Sequence, residues 1–87
     1  MHIVIDTEST KLMAIGTLTE YWSNGYPVIT DMNGLDCAYP TDFTTLYKVD
    51  YIPDGVEAEK YCYTPEYGFY ENLYYVPIEE NDEQKMI

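Results

Sequence analysis

The sequence predicts a small, mainly β single domain of short antiparallel strands and hairpins, with at most one short helical turn. Three observations carry that reading. No segment sustains amphipathic 3.6-residue periodicity over three turns. Proline at Pro27, Pro40, Pro53, Pro65 and Pro77, with five glycines among them, cuts the chain into short pieces. Residues 44–52 alternate cleanly: Thr45, Tyr47, Val49 and Tyr51 share one face, and Leu46, Lys48, Asp50 and Ile52 the other.

Taken in order, Ile3-Val4-Ile5 is a β-branched run, and Asp6 to Lys11 is turn chemistry with side chains that bond their own backbone. Leu12 to Ile15 returns as the second arm of a hairpin and is apolar on both faces, so it requires cover on both sides. Gly16 is expected to close that arm, and Thr17–Trp22 to form a weaker third strand. Ser23-Asn24-Gly25 is a turn, because Asn-Gly tolerates positive φ. Val28-Ile29-Thr30 is a strand, 31–36 a loop, and 37–43, with Pro40, a connection. The alternating strand 44–52 ends at Pro53-Asp54-Gly55, and Val56–Lys60 suits one helical turn. Tyr61-Cys62-Tyr63 and Phe69-Tyr70-Glu71 form a second hairpin around a loop of about five residues. Leu73–Ile78 is a final strand or arm. The expected division is a domain over 1–78 and an acidic tail over 79–87.

At 87 residues the chain is one domain with modest intrinsic stability. No apolar run approaches the ~18 residues of a membrane span. The start, Met1 to Asp6, has no basic stretch and meets an acid at once, which is unlike a secretory signal. The expectation is a chain made and kept in a cytoplasm. Cys37 and Cys62 are too few for a zinc cluster, and in a reducing compartment they are expected as free, buried thiols.

Sixteen acids stand against four lysines and no arginine, a net charge of −12. Nucleic-acid affinity comes mainly from cations neutralising phosphates, so direct binding to DNA, RNA or anionic lipid is excluded. The acidity reads first as a solvated surface that keeps a tyrosine-rich chain in solution. The alternative is an acidic face offered to a basic partner.

Catalytic signatures are missing. His2 is the lone imidazole and reads as a surface residue at a strand start. Asp31-Met32-Asn33-Gly34 approaches calcium-loop chemistry, but the glycine falls at the wrong offset. Neither a cofactor nor a metal is expected, and the reading is not an enzyme.

The positive signal is tyrosine, 11 in 87 residues. Aromatics suit a pleated sheet surface, and Tyr also suits interfaces, having large contact area and a polar tip. So small a core cannot enclose all of them. The expected interface is Tyr61, Tyr63, Phe69, Tyr70, Tyr74 and Tyr75.

Ile52-Pro53-Asp54-Gly55-Val56-Glu57, Glu59-Lys60-Tyr61-Cys62-Tyr63-Thr64 and Gly68-Phe69-Tyr70-Glu71-Asn72 together resemble a recurring segment. It occurs in small uncharacterised proteins from the tail-gene region of phages and prophages of Gram-positive bacteria. The resemblance covers roughly residues 44–78 and is a pattern of turn and aromatic positions. It departs at Ala58, where proline is usual, and at Leu73-Tyr74. It implies a tail-associated virion or assembly protein, made in the host bacterial cytoplasm and located in the virion. Its partners would be other phage structural proteins or copies of itself. The alternative is a phage-encoded acidic inhibitor that mimics nucleic acid before a host defence or DNA-binding protein. Asp50, Asp54, Glu57, Glu59, Glu66 and Glu71 would form its face.

Overall fold

Ile3, Val4 and Ile5 are all buried in β1 (His2–Asp6) of the computed structural model, which describes residues 1–75. Successive strand residues point to opposite faces, so three buried in a row require cover on both sides. The expected boundary at 78, the tail 79–87 and the end of the Leu73–Ile78 segment lie outside the described residues.

β1 pairs with β2 (Leu12–Tyr21) on one side and with β5 (Thr44–Lys48) on the other. β2 continues to β3 (Pro27–Asp31), and β3 to β4 (Asp36–Ala38). The result is one antiparallel sheet in the order β4-β3-β2-β1-β5. A second sheet is the hairpin of β6 (Tyr61–Thr64) and β7 (Gly68–Glu71). The described residues contain no helix, so the chain is mainly β.

The first cover comes from the sheet folding over itself. β4 and β5 are opposite edges, yet Ala38 and Thr44 are joined by only five residues. In a flat sheet, four strand spacings across and about nine residue steps along would put them roughly 35 Å apart. Six Cα steps reach at most ~21 Å. The sheet therefore bends, with β2 as the shared strand: its first half pairs with β1 and its second half with β3. The fold encloses Val4, Ala14 and Ile29, ringed by Met13, Leu18, Tyr39 and Leu46.

Gly16 sits at the bend. A Cβ there would lie 2.1 Å from the Thr30 carbonyl oxygen and 2.9 Å from Ile29 Cγ2. The expectation that Gly16 closes a strand is thus corrected. β2 runs through it unbroken and absorbs the separate strand expected over Thr17–Trp22, because a glycine inside a strand also marks close backbone approach.

The second cover comes from later in the chain. Ile3, Ile5 and Leu12 form an outer cluster with Ile15, Tyr47 and Val49, and Ile52, Val56, Tyr61, Tyr63 and Phe69 close over it. The hairpin is also stitched laterally to the start of β2. Lys11 bridges Cys62, Glu59 N donates to Leu12 O (2.6 Å), and Tyr63 N donates to Thr10 O (3.0 Å).

Other expectations are refined. Residues 36–38 form the edge strand β4 rather than connection, because Pro40 lies beyond the pairing residues on the link. β5 stops at Lys48 because its partner β1 begins at His2. Tyr47 and Val49 pack inward as the alternation requires, but Tyr51 is 71% exposed. Within Val56–Lys60 only residues 58–60 form a turn, and Glu59 at φ 76° is not helical. Thr64 pairs with Gly68, which shortens the second hairpin's loop to three residues, and Gly68 takes φ 76°. Cys62 is buried but Cys37 is exposed, and both thiols are free.

Two turns share one device. Asp6 Oδ1 accepts from Glu8 N (2.9 Å) and Ser9 N (3.0 Å), and Asp31 Oδ1 accepts from Asn33 N (2.9 Å) and Leu35 N (3.0 Å). The bonds from the Ser9 and Glu8 amides hold the Asp6 carboxyl below its usual value. A depressed carboxylate pKa contributes stability above the unfolded value, and that contribution is lost as pH falls through the folded value. Asp6→Asn should therefore be less stable than the parent at neutral pH. The gap should narrow as pH drops through the carboxylate range, as urea melts at pH 7, 5 and 3 would measure. A gap that stays constant would contradict this account of the turn.

Candidate protein-interaction site

The second hairpin sorts its aromatics by strand alternation. Tyr63 and Phe69 are directly opposed and face the large sheet. Their ring centroids are 4.8 Å apart, and Tyr63 also lies 5.4 Å from Tyr47, both pairs tilted as aromatic quadrupoles prefer. Tyr61 packs on the same cluster. Of the six residues expected at an interface, these three serve the core within the chain.

Tyr70, Tyr74 and Tyr75 are placed differently. Tyr70 is 39% exposed and its hydroxyl shares a 2.6 Å hydrogen bond with Thr10 Oγ1. Tyr75 is half-buried, with Lys60 Nζ 5.7 Å from its ring centroid. Tyr74 is 92% exposed, and its neighbour Leu73 is 85% exposed.

Asn72 holds that pair out. Its backbone N donates to Lys60 O (2.9 Å), its Nδ2 donates to Glu59 O (2.8 Å), and its Oδ1 accepts from Tyr74 N (3.1 Å). Leu73 and Tyr74 are thus presented on a turn fastened to the hairpin. Beneath them runs an open groove of about 1170 Å³ whose lining includes Lys11, Ala58, Glu59, Tyr70, Leu73 and Tyr74. The groove follows the seam between the two sheets. Among the described residues, both non-glycine residues with positive φ, Thr10 (64°) and Glu59 (76°), stand at this seam. Such conformations persist where surrounding bonds impose them, and here those are the bonds from Tyr63 N to Thr10 and from Glu59 N to Leu12.

The six acids of the alternative reading are all exposed. Glu59 pairs with Lys11 at 3.7 Å, and Glu57 with Lys60 at 3.3 Å. Glu71 joins them along the groove, Glu66 stands in the β6–β7 turn, and Asp50 and Asp54 lie on the segment after β5.

Elsewhere the chemistry is sparse. His2 lies in β1, and its imidazole is held below its usual value first by burial, then by the N-terminal ammonium and Lys48. Burial, with the neighbouring Cys37, pushes the Tyr39 phenol up to about 12. Among the described residues no three His, Cys, Asp or Glu side chains gather as a metal set, and no helix is long and apolar enough to cross a membrane.

Sequence reasoning missed two features. Leu73 is expected in a final strand or arm, but its place after Asn72, whose side chain bonds the backbone of Tyr74, makes it part of a turn. At the far end of β2, Trp22 and Tyr26 stack at 6.4 Å with planes 15° apart, beside an exposed Tyr21. Their signal was a Ser-Asn-Gly turn flanked by aromatics. In comparisons with known proteins, no family model, no curated protein and no solved structure matches the chain.

Proposed function

We propose that the protein is a non-enzymatic, tail-associated phage structural or assembly protein that docks onto other virion chains through the Tyr70–Leu73–Tyr74 edge of the seam groove. The observation that carries the docking surface is the near-complete exposure of Leu73 and Tyr74, on a turn that Asn72 fixes. Two adjacent large apolar side chains held out beside an open groove offer a contact patch, and a backbone turn already fixed loses little entropy on binding. The phage context rests on the resemblance of residues 44–78.

Mass spectrometry of purified particles tests both parts. The chain should be present at fixed stoichiometry. Tyr74→Ala should reduce incorporation by roughly 30-fold, as expected for an interface anchor worth about 2 kcal/mol. Glu66→Gln should leave it unchanged. Absence of the chain from particles would overturn the virion role, and full incorporation of Tyr74→Ala would overturn this docking edge.

The second reading, an acidic inhibitor, draws on the net charge of −12 and on the exposure of all six acids. The lysine pairing of Glu57 and Glu59 weighs against it. An inhibitor would lose affinity steeply with salt, and a salt-insensitive complex would remove that reading.

A further inference from the structure

We propose that the tip of the β2–β3 hairpin is a second interaction site, which takes an arginine-bearing extended segment of a partner protein. The tip lies at the opposite end of β2 from the seam groove and does not depend on the reading given to that groove.

Its surface is built from Tyr21, Trp22 and Tyr26. Tyr21 is 58% exposed and Trp22 54% exposed, and the Trp22 and Tyr26 rings are stacked. The turn below them is closed by its own backbone: Trp22 N donates to Tyr26 O, Gly25 N donates to Trp22 O, and Asn24 Oδ1 accepts from Tyr26 N. The rings therefore stand on a closed turn, and neither large cluster of the fold includes Tyr21, Trp22 or Tyr26.

Charge identifies the occupant. An aromatic face attracts cations, Trp most strongly, and planar guanidinium stacks on it. The chain uses this contact itself, with Lys60 over Tyr75. The lysines among the described residues stand elsewhere: Lys60 there and with Glu57, Lys11 with Glu59, and Lys48 at the end of β5 opposite His2. Among the described residues no cation stacks on Trp22 or Tyr26, and the nearest charge along the strand is Glu20. Within a chain of net charge −12, that leaves an acid-flanked aromatic pair complementary to a cation from another molecule. Arginine fits better than lysine because its flat fork can stack on a ring while bonding a carboxylate.

Trp22 is the protein's only tryptophan, so its emission reports this site alone. The probe is a ten-residue synthetic peptide with four arginines spaced by glycine and serine, with a control in which glutamine replaces each arginine. Titration with the arginine peptide should change Trp22 emission saturably, and the glutamine peptide should not. Anisotropy of a labelled arginine peptide should show binding weakened about fivefold by Trp22→Ala, the scale of one to two exposed cation–π contacts. Glu8→Gln with Asp42→Asn, which removes charge at the opposite end of β2 from the tip, should weaken it less than twofold. The Trp22 side chain makes none of the turn's bonds, so Trp22→Ala should keep the fold, and Tyr26→Ala gives an independent check. Equal binding of the glutamine peptide, unchanged emission on peptide binding, or an unaffected Trp22→Ala would each overturn the site and assign the binding to bulk acidity.

Discussion

Gly16→Ala should destabilise the fold by about 3 kcal/mol, at the upper end of overpacking effects. Few single-methyl additions cost so much, and the reason is what the methyl meets. Its carbon would stand 2.1 Å from the Thr30 carbonyl oxygen and 2.8 Å from the Thr30 carbonyl carbon. Both are backbone atoms, which cannot rotate away as a side chain would. Relief requires β3 to move off β2, and β3 carries Ile29, a member of the inner cluster. For a domain of this size each kcal/mol shifts the melting temperature by roughly 4–8 °C, so a fall of about 12 °C or more is expected by circular dichroism. Total stability for 87 residues is roughly 4–13 kcal/mol, so at the low end the variant would scarcely fold. A change below about 1 kcal/mol would mean that β2 and β3 do not approach this closely at Gly16, and the bent sheet would need revision. Gly25→Ala makes a useful contrast. It also adds one methyl, but in open space at the hairpin tip, where only the positive φ of 94° opposes it.

The two positions show where sequence reading succeeds and where it stops. Asn24-Gly25 announces its turn because positive φ is a local requirement with a local signature. The demand at Gly16 is set by Thr30, fourteen residues away, and no window around residue 16 contains it. The same division runs through the chain. The first hairpin, with its Asp6 turn, and the double-sided burial of Leu12–Ile15 were legible from turn chemistry and apolar pattern. The strand at 36–38 was not, since its three residues become a strand only because β3 is there to pair with them. The residues expected at an interface divide in the same way. Composition shows that a core this small cannot enclose eleven tyrosines. Which ones turn inward depends on the register of Tyr63 against Phe69 and on the arrival of both over Ile3 and Ile5. Leu73 and Tyr74 stay out because Asn72 bonds Glu59 and Lys60 from thirteen and twelve residues away.

The outer cluster links this architecture to function, and Leu12→Ala tests the link. Leu12 is fully buried between Ile3, Ile5 and the hairpin that covers them. Truncation to alanine should cost about 2–5 kcal/mol from lost transfer energy and the cavity left behind. The loss should not spread evenly. The hairpin β6–β7 meets the large sheet through this cluster, a few backbone bonds at Thr10–Leu12 and the Thr10–Tyr70 hydroxyl bond, whereas β2, β3 and β4 are joined by ladders along their length, with one register shift between Leu18 and Glu20. Weakly fastened units open first in native-state hydrogen exchange. In Leu12→Ala, the amides of Glu59, Tyr63 and Tyr70 should lose protection well before those of Thr17 and Ile29. Val4→Ala, on the inner cluster, should lower protection throughout the bent sheet. Because the seam groove is formed by the junction of the two sheets, loosening the hairpin also disperses the Tyr70–Leu73–Tyr74 edge. Leu12→Ala should therefore impair the proposed docking without touching a single exposed residue. If β6–β7 remains as protected as β2–β3, the hairpin is held by something other than the Ile3–Ile5–Leu12 face, and the groove would survive the substitution.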